Sequence, residues 1–207
     1  VALEKAKAQD ETEVFANDSK KKIYMHWMYD VPMGEQLDDD GDSLESIEGC
    51  LTDAQYNRDE HRKAVIDDIL DNWVSQSHNG KFHAILATSS IPEAIKYYKL
   101  FAQRDCGLKT TAVFDPSDGN NESSIEKIDG IAQMLEDYNS LFGTCFNISG
   151  YASFKRDVCA RLAHKTPYTA VENEPSKCLD ILIVVDQMLT GYDSKWLNTL
   201  YMDKFYK

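Results

Sequence analysis

Residues 179–207 read Leu-Asp-Ile-Leu-Ile-Val-Val-Asp-Gln-Met-Leu-Thr-Gly-Tyr-Asp-Ser-Lys-Trp-Leu-Asn-Thr-Leu-Tyr-Met-Asp-Lys-Phe-Tyr-Lys. Residues 181–185 are a continuous aliphatic and β-branched run, too short for a helix and apolar on both faces. That is the pattern of a central strand in a parallel sheet. The run stops at Asp186, the turn Thr190-Gly191-Tyr192-Asp193 follows, and residues 199–202 are again strand-like. An open α/β sheet holds its ligands beyond the carboxyl ends of such strands.

The pattern repeats upstream. Residues 82–87 form a second apolar run that ends in Thr88-Ser89-Ser90, and Pro92 suits the first turn of a helix carrying Ile95, Tyr98 and Phe101. Residues 111–114 predict the next strand, followed by a turn-rich loop at 115–121. Ile125, Ile128, Ala132, Leu135 and Tyr138 predict a helix, and residues 145–148 a short strand. Phe154, Val158 and Leu162 mark the helix before the 181–185 run. Ahead of all these, Val65, Ile66, Ile69, Leu70 and Trp73 line one helical face, with Arg62, Lys63, Asp67, Asp68 and Asp71 opposite. Strands alternating with helices imply a parallel sheet with crossover helices. Residues 1–30 look helical, with an aromatic-rich end at Tyr24, His26, Trp27, Met28 and Tyr29. Residues 32–34 and the acidic run 38–43 mark a loop or linker.

The chain has 207 residues, enough for one good core or one domain with an appendage. Its formal net charge of −13 argues against tight nucleic-acid binding by the chain alone, because phosphate neutralisation dominates such affinity. A local polar strip inside a larger machine is compatible with that balance. The apolar runs fall far short of the roughly 18–20 residues of a membrane span. The polar first 22 residues contain no signal-peptide core, so a soluble cytoplasmic protein is expected. Its first residue is Val, which suggests a piece of a longer chain. Cysteines stand at 50, 106, 145, 159 and 178, with no CxxC spacing; reduced, mostly buried thiols are expected.

Several short motifs have plain explanations. Asp38-Asp39-Asp40-Gly41-Asp42 lacks the flanking ligands of a calcium loop and reads as a solvated acidic loop. Asp59-Glu60-His61 lacks the apolar strand of a helicase acid box and reads as a helix start. Gly80-Lys81 lacks the upstream glycine of a phosphate-binding loop. Arg156 and Arg161, five apart on an amphipathic helix, read as surface ion-pairing residues rather than phosphate ligands or an arginine finger. Thr88-Ser89-Ser90 leaves two readings open: a helix cap, or donors to a phosphate. In Thr190-Gly191-Tyr192-Asp193, the glycine permits close approach of backbone to a ligand, and the acid suits a hydroxyl or a cation.

The string from Phe82, Phe-His-Ala-Ile-Leu-Ala-Thr-Ser-Ser-Ile-Pro-Glu-Ala-Ile-Lys-Tyr-Tyr, resembles the start of the second RecA-like motor domain of type I restriction enzyme R subunits. Residues 137–146 (Asp-Tyr-Asn-Ser-Leu-Phe-Gly-Thr-Cys-Phe) and 154–162 (Phe-Lys-Arg-Asp-Val-Cys-Ala-Arg-Leu) resemble the blocks that follow. Residues 182–193 resemble helicase motif V, and residues 198–204 its continuation. The resemblance covers residues 55–207 in consistent order. It implies an α/β fold, a RecA-like (P-loop NTPase-type) parallel sheet flanked by helices, over residues 57–207. Residues 1–56 would form a helical and irregular N-terminal extension with an acidic loop.

The resemblance further implies part of an ATP-dependent DNA translocase and endonuclease subunit. Its partners would be double-stranded DNA, the preceding RecA-like lobe and nuclease domain of the same chain, and the modification and specificity subunits. ATP and Mg²⁺ would serve the full-length subunit, with none bound to this piece alone. Thr88, Ser89, Ser90 and Thr190 would contact DNA, and Gly191 and Asp193 would face the ATP cleft. No catalytic or metal-binding residue is expected within the chain. The Walker A lysine and the acid pair belong to the preceding lobe, and motif VI would follow Lys207. Related motors carry Thr before the motif V acid, where this chain has Val185. The chain by itself is expected to be inactive. The alternatives are a lobe of a nuclease-free SWI2/SNF2-like remodelling ATPase, and a non-enzymatic phosphate-binding α/β module.

Overall fold

A computed structural model describes residues 1–34, 36–52, 58–104, 106–114, 124–185 and 194–203. The chain divides into two compact units, Val1–Arg62 and Lys63–Lys207.

The first unit carries three helices, α1 Ala2–Lys5, α2 Glu11–Phe15 and α3 Asp18–Tyr29. The starts of α2 and α3 are fixed by side chains that accept otherwise orphaned backbone N–H groups. Asp10 accepts from the Glu13 N–H at 2.8 Å, and Asn17 from those of Ser19 and Lys20 at 3.0 and 3.2 Å. Ala6, Val14 and Tyr24 form a small apolar centre. The acidic loop is exposed and closes on itself, because the Asp38 carboxylate accepts the Asp40 and Asp42 N–H groups at 3.0 and 2.8 Å. Among the described residues no three His, Cys, Asp or Glu side chains converge as a metal site. No described helix is long and apolar enough to cross a membrane.

The second unit is built on a four-stranded, all-parallel sheet in the order β2-β3-β1-β4. The strands are β1 His83–Thr88, β2 Thr110–Val113, β3 Ile181–Val185 and β4 Leu197–Asp203. The run that decides the fold takes an inner position. β3 is hydrogen-bonded to β1 on one side and to β2 on the other. Ile181, Leu182, Ile183 and Val184 are all 0% exposed. β4 is half-buried with strict alternation, as an edge strand should be.

Helices α4 Asp59–Gln76, α5 Ile91–Gln103, α6 Ser124–Phe142 and α7 Tyr151–Leu162 complete the element list. The sheet's core is closed by Ile66, Ile69 and Trp73, by Tyr97, Tyr98 and Phe101, by Ile131, Met134, Leu135 and Tyr138, and by Phe154, Val158 and Leu162. α4 begins at Asp59, so the Asp59-Glu60-His61 run is a helix start. Asp59 is paired with Arg62 at 2.8 Å.

Four expectations are corrected. The buried stripe of α6 is Ile131, Met134, Leu135 and Tyr138, while Ile128 and Ala132 are exposed. The helix turns because Gly130 meets α5 closely: a Cβ there would lie 2.9 Å from Ile95. Residues 145–148 form no strand. Their backbone is bonded by Asn139, which accepts the Phe146 N–H at 2.8 Å and donates to the Phe146 carbonyl at 2.7 Å.

Arg161 is no surface residue. It is 3% exposed and donates to the Tyr138 and Tyr168 hydroxyls and to the Lys177 carbonyl at 2.8–3.0 Å, while Arg156 bonds only within its own helix turn. None of the cysteines is fully buried. Cys145 is exposed and the other four are half-buried, none in a disulfide. Cys159, for example, sits beside the core stripe of α7 rather than in it.

β1 opens on a buried histidine. Burial first, and His164 second, push the His83 imidazole down to about 3. An unfolded imidazole titrates near about 6.5, so this contribution to stability is complete above that pH and is lost as pH falls toward the folded value. Burial raises the Asp180 carboxyl, which has the opposite sign: that contribution is lost as pH rises through its folded value. Comparing wild type with His83→Gln isolates the histidine. The wild type should lose about 2–3 kcal/mol more than the variant between about pH 6.5 and pH 4 in denaturant melts. Parallel pH profiles would contradict the assignment.

Val184→Asp should unfold this unit, since an unpaired buried carboxylate costs several kcal/mol against a total of about 5–15. A cooperatively melting variant with unchanged Tm would overturn the burial of β3.

Candidate functional site

The strand order sets the ends of β1 and β3 side by side as one rim. From β1 the chain crosses β3 to reach β2, and from β3 it crosses β1 to reach β4. β1 and β3 are neighbours whose outgoing connections run in opposite directions. That is the switch point where an open α/β sheet binds ligands, beyond the strand carboxyl ends. Thr88 ends β1 and Val185 ends β3, and they are register partners. The segment after β1 and the segment after β3 therefore start side by side.

The three hydroxyl residues after β1 have separate roles. Thr88 is 0% exposed, and its hydroxyl donates to the Val184 carbonyl at 3.1 Å, tying β1 to β3. Ser90 takes the extended backbone of a helix N-cap, and its Oγ accepts the Glu93 N–H at 3.4 Å at the start of α5. Ser89, between them, is exposed. Of the two readings of this motif, the cap applies to Ser90, and Ser89 is the exposed hydroxyl of the three.

Asp203 completes the rim and was not singled out from sequence. It ends β4 in register with Thr88, and its carboxylate accepts the Tyr97 hydroxyl at 2.6 Å. The signal was present: a polar residue closing an alternating strand, like Asp186 after β3. Thr190, Gly191 and Asp193, with Asp186 and the loop at 115–121, lie outside the described residues.

The family model described as type I restriction enzyme subunit R domain 3 matches residues 80–207. The chain belongs to this R-subunit family. It is 30% identical over 179 residues to the type I restriction enzyme SsaAORF53P endonuclease subunit of Staphylococcus saprophyticus, covering 82% of this chain and 18% of that protein. It is 28% identical over 166 residues to the SauMRSORF196P endonuclease subunit of Staphylococcus aureus, covering 76% and 17%. The R-subunit chain described here thus spans less than a fifth of these curated relatives' length. The match includes all four strands, from β1 through β4.

The rim assignment separates three neighbouring substitutions in this R-subunit domain. Thr88→Val and Ser90→Ala should each cost about 0.5–2 kcal/mol, the first by leaving a buried carbonyl short of a donor and the second by removing a cap. Ser89→Ala should stay within about 0.5 kcal/mol of wild type. Denaturant melts of the three variants check the ordering, and a destabilised Ser89→Ala with a neutral Thr88→Val would reverse it.

Proposed function

We propose that residues 57–207 are the second RecA-like motor lobe of an ATP-dependent DNA translocase and endonuclease subunit, with residues 1–56 as its N-terminal extension. The observation that carries this reading is the switch point between β1 and β3, where an exposed hydroxyl at Ser89 and the segment holding Thr190, Gly191 and Asp193 begin side by side. Such a rim suits a phosphate backbone: short hydroxyl side chains and exposed N–H groups hold phosphate oxygens without reading sequence.

In this proposal Ser89 and Thr190 donate to the DNA backbone, with Thr88 and Ser90 fixing the rim on which they stand. Gly191 and Asp193 face the nucleotide held by the preceding lobe. Gly191 allows close backbone approach, and Asp193 offers a carboxylate to a hydroxyl or to a cation of that lobe. ATP supplies the free energy when bound, and closure of the two lobes couples it to a step along duplex DNA. Among the described residues no three His, Cys, Asp or Glu side chains converge, and no step is assigned to Mg²⁺ here. The chain alone would be inactive. The modification and specificity subunits and the nuclease domain belong to the same proposal.

In the R subunit that carries this chain, Gly191→Ala and Asp193→Ala should each lower DNA-stimulated ATP hydrolysis and translocation about tenfold or more, with the melting transition unchanged. Ser89→Ala should weaken the DNA stimulation and leave the DNA-independent rate alone. ATP turnover and triplex displacement, measured beside a denaturant melt, test both statements. Wild-type rates in all three variants would leave the rim without a motor role.

A further inference from the structure

The opposite pole of the sheet holds a cavity of about 480 Å³. It is formed where β1, β2 and β3 begin, from the residues just ahead of each strand, together with Arg161 and His164 from the end of α7. Its size falls within the roughly 300–1,000 Å³ of small-molecule sites.

The charge of this cavity runs against that of the chain. The protein carries −13 overall, yet Lys81, Lys109 and Arg161 all line the cavity, with Asp180 as the lone acid among its lining residues. Asp180 is turned toward the backbone, where its carboxylate accepts the Lys109 N–H at 2.8 Å, and burial favours its neutral form. Lys109 is held by a neutral carbonyl, and Arg161 by neutral groups together with the Asp157 carboxylate. The Lys109 ammonium donates to the Pro175 carbonyl at 2.9 Å. Arg161 donates to two tyrosine hydroxyls and the Lys177 carbonyl, and its carboxylate neighbour Asp157, at 3.4 Å, also accepts from both of those hydroxyls.

Beside the cations lie aromatic rings. Phe82, His83 and His164 line the cavity, and His164 is stacked on Trp196 with centroids 4.2 Å apart and planes at 21°. The Lys81 ammonium sits 5.3 Å over the Phe82 ring. Aromatic faces flanked by fixed cations are the physical form of a nucleotide platform, in which rings stack and phosphates pair with charge.

We propose that this amino-terminal cavity binds a nucleoside phosphate, free or as the phosphorylated end of a DNA strand, with the phosphate facing Lys81 and Lys109 and the base beside Phe82 and His164. The site lies at the far pole from the β1/β3 rim and does not depend on the motor reading.

The test uses the isotopically labelled 207-residue chain. The His83 and His164 ring resonances and the Gly107 amide are followed by NMR during titration with inorganic phosphate, with AMP and with a short 5′-phosphorylated single-stranded oligonucleotide. AMP, the oligonucleotide or both should shift these three resonances saturably, and more tightly than inorganic phosphate. Saturation by AMP alone identifies a free nucleotide, and saturation by the oligonucleotide alone a strand end. Lys81→Gln/Lys109→Gln should weaken binding about tenfold, and Lys81→Gln, at an exposed position, about threefold, each with an otherwise unchanged spectrum. The proposal is overturned by no saturable shift up to about 10 mM of any probe, by equal affinity for inorganic phosphate and AMP, or by unchanged affinity in both folded variants.

Discussion

The strand β3 is paired on both edges and closed to solvent from Ile181 to Val184, and the rest of the α/β unit is arranged around that fact. A strand with two hydrogen-bonded edges satisfies all its backbone groups, so both faces can be covered by apolar side chains without leaving a buried N–H or C=O orphaned. Because β3 lies between β2 and β1, the connection leaving β1 crosses β3 and the connection leaving β3 crosses β1, so the two run in opposite directions from neighbouring strand ends. Thr88 ties those ends, closing the end of β1 onto the Val184 carbonyl.

What the sequence discloses depends on how local the cause is. The strands β1 and β3 are legible because a strand buried on both faces needs a largely apolar run, and residues 84–87 and 181–185 supply one. The start of α5 is legible because Ser90 and Pro92 act on their own turn. The turned face of α6 is not, because it depends on Ile95 of another helix meeting Gly130. Residues 145–148 have strand composition, but a side chain seven residues away, Asn139, takes up their backbone groups first. Arg161 looks like a surface charge until Tyr138, Tyr168 and Lys177 are brought to it from three other places in the chain.

The candidate site was partly legible for the same reasons. The run Thr88-Ser89-Ser90 marks the end of a strand, but its division into a strand tie, an exposed hydroxyl and a helix cap is a product of register and helix geometry. Asp203 gains its place only because β4 pairs with β1. The basic cavity at the other pole is invisible in sequence, since its cations come from segments separated by tens of residues in a strongly acidic chain. Its two poles give the sheet distinct chemistries: hydroxyl and carboxylate at one end, cations and aromatic rings at the other.

In the proposed function the β1/β3 rim is the face this domain turns toward DNA. The most direct measurement is photocrosslinking to duplex DNA from a photoreactive side chain placed at position 89 of the R subunit, with position 99 on the exposed side of α5 as the comparison. The account predicts crosslinks from position 89 that change in yield with the bound nucleotide, and few from position 99. Equal yields from the two positions, or crosslinks from position 99 alone, would contradict it.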